Sequence, residues 1–307
     1  MRQGRRPIAV IATVNDLHFG ETVCGHMEGL DLGEPLRSEP GEDPYPTVMN
    51  RAAVAEIVAI DPDLVVAKGD LTASGEGQEW AEFEALYRSA FGDRLLVTPG
   101  NHDKPAGGSA LPALPEVQAV ELAGVTVAVL DTARPGRPGG SLSEEQATWL
   151  DDLAGSSRLP VLVFGHHPPG GEDIDRLFGP ASAGANALDA EGTARLVEVV
   201  ARRRSIAGYF AGHTHRNKLR RLGPTGPFPW VEVACVKDFP GSWAEYRVYE
   251  DAVEQVHHRI SCDPAALRWS ERCRALFGGL YPSYAWGGEG DRCFEMPLAG
   301  GVRGPGG

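Results

Sequence analysis

The chain has 307 residues, 42% hydrophobic and 23% charged, which suits one large domain or one domain with an appendage. A net charge of −13 argues against attraction to nucleic acid or an anionic membrane surface, and neither is expected as a partner. Five cysteines with no C-x-x-C pair argue against a disulfide scaffold or structural zinc ribbon and favour a reducing compartment, so the expected location is cytoplasmic.

The N-terminus, MRQGRRPIAVIATVND, has the basic start of a signal peptide. Its apolar run is too short for an h-region or a membrane span and reads as a first strand, 8–14. Residues 20–46 form a long loop, the kind of insertion that is often functional. A helix is expected over 47–60, with Thr47 as N-cap and Val48, Ala52, Ala55 and Val58 on one face. Next come a strand at 64–69, a helix over 75–91 with Trp80, Phe83, Leu86 and Tyr87 at helical spacing, and a strand at 95–100. Strands at 125–131 and 161–165 flank a helix at 143–154, where Ser143 and Gln146 form a capping box. A helix over 189–204 leads to a strand at 206–212. Four strand-like runs then follow in succession, NKLRRL, WVEVACV, AEYRVYE and AVEQVHHRI. Residues 263–278 look helical, and 279–307 carry no assignment.

Strand–helix alternation followed by a meander predicts an α/β fold, with two mixed β-sheets flanked by helices in a four-layer α/β/β/α sandwich. The expected organisation is a domain over 1–260, with 20–46 inserted, and a C-terminal helix and tail over 261–307 packing on or beside it.

The strand ends carry the chemistry. The first runs into Asp16-Leu17-His18, the second into Gly69-Asp70, and the third into Gly100-Asn101-His102-Asp103. Two later strands end in His166-His167 and His213-Thr214-His215. Carboxyl ends of strands in open α/β sheets form the ligand crevice, so five ends converge on one place. Two carboxylates, one amide and four imidazoles, His102 apart, suit two borderline transition-metal ions, whereas magnesium alone would favour carboxylates and water. Such a centre would give an acidic protein a local trap for phosphate. A turn or capping role explains any one of these residues as well; the set of seven is what favours a metal site. His167, beside Pro168, reads as a packed or supporting residue. Cys24 and His26 on the long loop could approach the metals, though an isolated Cys-x-His pair is more simply structural.

In this order D-x-H, G-D, G-N-H-D, G-H-H-P and G-H-x-H resemble the calcineurin-like metallophosphoesterase superfamily. GDLTASGE, LDT, QATWL and GHHPP are similar to class III cyclic-nucleotide phosphodiesterases and bacterial glycerophosphodiesterases. The resemblance implies a first metal held by Asp16, His18, Asp70 and His215. Asp70 would bridge to a second, held also by Asn101, His166 and His213. The ions would be divalent or transition metals such as manganese, iron or zinc. A metal-bridging hydroxide would attack phosphorus, and His102, off the metals, would serve the leaving oxygen as catalytic group. The chain departs from the family at Asn15, often serine or threonine, and at Ala73, an aspartate in the protein-phosphatase branch; what orients His102 is then open, with Asp103 one candidate. The expected activity is hydrolysis of a small organophosphate, foremost a phosphodiester. A phosphomonoesterase or nucleotidase on the same site, and a non-catalytic interaction scaffold of this fold, are the alternatives.

Overall fold

The computed structural model describes residues 4–25, 34–171 and 185–298. Two six-stranded mixed sheets make up its centre. The first contains β1 (Ala9–Val14), β2 (Leu64–Lys68), β3 (Leu95–Thr98), β10 (Ser242–Val248), β11 (Ala252–Arg259) and β12 (Phe294–Pro297), in the order β12-β11-β10-β1-β2-β3. The second is ordered β4-β5-β6-β7-β9-β8, from β4 (Val117–Leu122), β5 (Val125–Leu130), β6 (Val161–Phe164), β7 (Ile206–Ala211), β8 (Lys218–Arg220) and β9 (Trp230–Glu232). β1, β2 and β3 run parallel, as do β5, β6, β7 and β9, so their carboxyl ends share an edge in each sheet.

Alternation of side chains along each strand builds three apolar layers. Ile11 and Val66 of the first sheet meet Val127, Phe164 and Phe210 of the second between the sheets. Ala12, Val14 and Val65 face outward onto Met49, Ala53 and Ile57 of the helix Tyr45–Ile60. Ala128, Val163 and Tyr209 face Leu150 and Leu196 of the helices Glu144–Ser156 and Ala190–Arg202. The fold is therefore the four-layer α/β/β/α sandwich. Polar groups tie the sheets at the carboxyl edge. Buried Lys68 donates to the Ala211 carbonyl at 2.9 Å, and Thr98 Oγ1 donates to that of Leu130 at 3.1 Å.

Ser143 and Gln146 form the expected capping box. Other local expectations are corrected. The first long helix begins at Tyr45, with Pro46 in its first turn, so Thr47 is not its cap. Its buried face runs through Met49, Ala53 and Ile57, while Val58 is 51% exposed. This helix is apolar nearly all round, so periodicity could not choose the face. A π turn, Glu84–Arg88, interrupts the 75–91 helix. Strands β4 and β12 carried no expectation; both are edge strands, and most of their residues are partly or fully exposed. His26 lies outside the described residues. Cys24 is buried, with Sγ 4.0 Å from Asp238 Oδ2. Among the described residues no helix is long and apolar enough to cross a membrane.

Where the C-terminal segment leaves β11, Glu56 holds the junction. Its carboxylate accepts from the backbone of Ser261 at 2.7 Å and Cys262 at 3.0 Å, and from Trp243 Nε1 at 2.8 Å. Glu56→Ala leaves three donors without their acceptor and is expected to cost about 1–3 kcal/mol. A urea midpoint unchanged from wild type would contradict this.

Candidate metal centre

Hydrogen bonds knit the strand-end loops together. The loop after β1 lies on the loop after β2, with the amides of Asp16, Leu17 and His18 donating to the carbonyls of Gly69 and Asp70 at 2.8–3.0 Å. Between the sheets, the His213 amide donates to Asp16 Oδ2 at 3.0 Å. Asp16, His18, Asp70, His213 and His215 all hold positive φ, 49–69°. Only Asp61 and Phe277 share this among the other described non-glycine residues. Left-handed backbone at aspartate and histidine is uncommon and persists where surroundings impose it, a pattern concentrated at functional sites.

These loops bring all seven sequence-predicted donors to one place. Asp70 Oδ2 lies 3.6 Å from His18 Nε2 and 3.3 Å from His166 Nε2, and so stands between two groups of donors. On one side Asp16 Oδ1 is 3.3 Å from His215 Nε2, and Asp16, His18 and His215 offer ligand atoms within 4.8 Å of one another. On the other, Asn101 Oδ1 is 3.3 Å from His166 Nε2, and the His166 and His213 rings lie 5.0 Å apart. Asp16, Asp70 and His166 form a further close group across the centre.

Outer partners leave one nitrogen of each of three imidazoles for the centre. His166 Nδ1 donates to the Lys68 carbonyl at 2.8 Å, and His213 Nε2 to that of Ala185 at 3.0 Å. His215 Nδ1 faces Asp238 Oδ2 at 3.2 Å. Metal-bound histidines are held in this way. Buried His18 has no hydrogen bond at either ring nitrogen, and Asp16 Oδ1 has none. Orphaned buried polar atoms are costly unless a ligand meets them. The donor set and its unmet atoms fit divalent transition-metal ions.

The protonation states agree. Burial, with the Lys237 charge next, holds His18 well below its ordinary pKa. Burial and then His166 push His213 down to about 4, so both are neutral lone-pair donors at neutral pH. Burial would depress His166 as well, but the charge and hydrogen bond of Asp70 carry it up to about 9. The attraction that retains that proton is the one a cation would feel, so binding there must release it.

Beside this cluster the His102 ring centroid lies 4.5 Å from that of His18. Its Nδ1 donates to the Ala73 carbonyl at 2.9 Å, and Nε2 has no hydrogen-bond partner among the described residues. A backbone oxygen thus orients this imidazole at a position where the side chain, alanine, gives no sign of it. Asp103 instead fastens the loops. Its buried carboxylate accepts from the amides of Gly100 at 2.7 Å, Thr72 at 2.8 Å and Leu71 at 3.1 Å, and from Thr72 Oγ1 at 2.6 Å. Both ring nitrogens of His167 are engaged, by Thr132 Oγ1 and the Pro138 carbonyl, which leaves it supporting the loop. Asn15, in place of serine or threonine, ties the loop to the Val233 carbonyl at 3.0 Å. The sequence reading missed Asp238, in the turn that follows β9, because no motif spacing marks it.

The α/β/β/α sandwich thus gathers histidines and carboxylates that could hold metal ions at one edge of strand ends. The family model described as calcineurin-like phosphoesterase matches residues 9–217, and the chain belongs to that family. A protein named "Probable cyclic nucleotide phosphodiesterase" from Synechococcus sp. is 28% identical over 175 residues, 53% of this chain and 62% of that protein, so the match falls short of two thirds of that relative. A "Probable glycerophosphodiester phosphodiesterase GpdQ" from Arcobacter nitrofigilis is 27% identical over 254 residues, 74% of this chain and 84% of the relative. A dimetal phosphatase from Danio rerio shares the fold with a TM-score of 0.59 at 16% identity, covering 83% of this chain and 97% of its own.

Backbone closeness at this edge sets a sharp limit. A Cβ on Gly100 would lie 2.2 Å from Asp70 Oδ1 and 2.3 Å from the Asp70 backbone nitrogen. Gly100→Ala is therefore expected to displace Asp70, with loss of bound metal and a lower melting temperature. Wild-type metal content in this variant would show that the loop yields without disturbing Asp70.

Proposed function

We propose that the protein is a binuclear metal-dependent phosphodiesterase acting on a small soluble organophosphate. The observation that carries this reading is the place of Asp70, one carboxylate oxygen within 3.6 Å of imidazoles from two separate donor groups. A single carboxylate so placed suits two cations a few ångströms apart. Asp16, His18, Asp70 and His215 would hold one ion, and Asp70, Asn101, His166 and His213 the other. Manganese, iron and zinc all suit imidazole with carboxylate. When bound, the cations supply positive charge that lowers the pKa of a water toward ~7 and neutralises phosphoryl oxygens.

The chain's own residues do the rest. Neutral Asn101 contributes an oxygen without lowering the charge of the centre. Ala73 fixes the His102 ring through its Nδ1–H, so the ring serves the leaving oxygen in its doubly protonated form, giving up the Nε2 proton and keeping the one on Nδ1. Asp103 keeps the loops of Asp70 and His102 in register. A diester is favoured over a monoester by the relatives named as cyclic-nucleotide and glycerophosphodiester phosphodiesterases. Manganese-loaded protein should then hydrolyse bis-p-nitrophenyl phosphate faster than p-nitrophenyl phosphate. The reverse order would favour a phosphomonoesterase, and hydrolysis of neither, nor of cyclic AMP, would favour a non-catalytic scaffold.

Metal analysis should find close to two ions per chain, and chelation should abolish hydrolysis. Asp70→Asn should lower metal occupancy together with activity; two ions retained at wild-type affinity would remove Asp70 as the bridge.

Asn101 and His102 should fail differently. Asn101→Ala should weaken one ion, and added manganese should partly restore the rate. His102→Ala should keep both ions and lower kcat by roughly 10²–10⁴-fold. That loss should shrink for p-nitrophenolate, which leaves without a proton, and be largest for alkyl or ribose leaving groups. Loss of metal from His102→Ala would place that imidazole among the ligands instead.

A further inference from the structure

The family match ends at residue 217, yet the segment 264–286 reaches back to the loop that carries His213 and His215. Tyr281 OH donates to Asp238 Oδ1 at 2.7 Å. Cys235 Sγ donates to the same oxygen at 2.7 Å. The other oxygen of Asp238 faces His215 Nδ1 at 3.2 Å, and His215 Nε2 lies 3.3 Å from Asp16 Oδ1. A second pin lies alongside, where Tyr284 OH donates to the Thr214 carbonyl at 2.5 Å and the Asn217 amide to that of Ala285 at 3.0 Å. The indole of Trp269 donates to the Lys237 carbonyl at 2.9 Å, next to Asp238 itself.

We propose that the segment 264–286 positions a metal ligand through the row Tyr281–Asp238–His215, and so sets the affinity of the ion held with Asp16 and His18. This rests on the reading that His215 holds a cation. Asp238 and Tyr281 are both about 3% exposed, so neither can turn to water for a replacement partner. A carboxylate behind an imidazole fixes which nitrogen carries the proton and makes the other a stronger donor. That carboxylate must itself be held. Cysteine is a weak donor, so the phenol supplies the stronger hydrogen bond to Oδ1. Tyr281 and Asp238 are positioning residues; neither ring nor carboxylate belongs to the donor set.

The test measures manganese binding to chelated, full-length protein by calorimetry and equilibrium dialysis, with the melting temperature of the chelated form recorded beside it. Asp238→Asn should weaken one of two ions by roughly 10–100-fold, the usual cost of losing such a partner. Tyr281→Phe should weaken the same ion several-fold, and the double variant should bind it no worse than Asp238→Asn alone, since both act through one contact. A merely structural hydroxyl would lower the melting temperature and leave both affinities unchanged; that result, or fully additive losses, would overturn the proposal. If Asp238→Asn does not fold, Tyr281→Phe with and without Cys235→Ala decides by the same measurements. His215→Ala separates the two levels. If it keeps both ions at wild-type affinity, the reading of the centre itself fails. If it loses an ion that Tyr281→Phe retains in full, only the positioning role fails.

Discussion

Burial of the Asp70 carboxylate is the constraint around which this molecule is arranged. It lies at the carboxyl end of β2, 2% exposed, with imidazoles from both sheets against it. A charge so enclosed is tolerated only when paired and hydrogen-bonded. The His102 amide meets its second oxygen at 2.9 Å, and that amide stands there because Asp103 fastens the third loop to the second. His166 comes from the facing sheet, and a Cβ on Gly69 would fall 2.4 Å from its Nδ1. At Gly69 and Gly100 these loops thus leave no room for a side chain.

The polar edge rests on an apolar sandwich that could not be remodelled locally. β1 sends Ile11 between the sheets and Ala12 and Val14 to the outer helices, so a one-residue slip would exchange these faces and carry Asp16 with them. Lys68 marks where the apolar layer stops. Burial depresses its amine to about 7, partly opposed by Asp16, and its hydrogen bond to Ala211 bridges the sheets directly beneath the donors.

Much of this was legible in the sequence because the relevant signals are local. Apolar runs ending in glycine and then aspartate, asparagine or histidine name both the strand and what it delivers. The four late strands could be read from their strand-like runs, but they pair as β8–β9 in one sheet and β10–β11 in the other, not as the expected meander. What escaped is information that no side chain carries in its own neighbourhood. The group that orients His102 is a carbonyl, so alanine at 73 conceals it. Asp238 meets His215, and Tyr281 meets Asp238, only through tertiary contact, and β12 declares itself only by pairing with β11. The buried face of the Tyr45–Ile60 helix was undecidable from a pattern apolar on almost every side.

The pairing of β1 with β10 places Ala9 opposite Val248, and this bears on how the chain assembles. During synthesis β1, β2 and β3 can pair early, yet one edge of β1 stays open until β10, Ser242–Val248, has emerged. Contacts so distant in sequence slow folding and leave an unpaired strand edge open to aggregation. Asp16, Asp70 and Asn101 therefore emerge long before His166, His213 and His215 arrive on the other sheet. A cation held by the full donor set would therefore be captured only at the end of folding, and mass action would reward only the finished molecule.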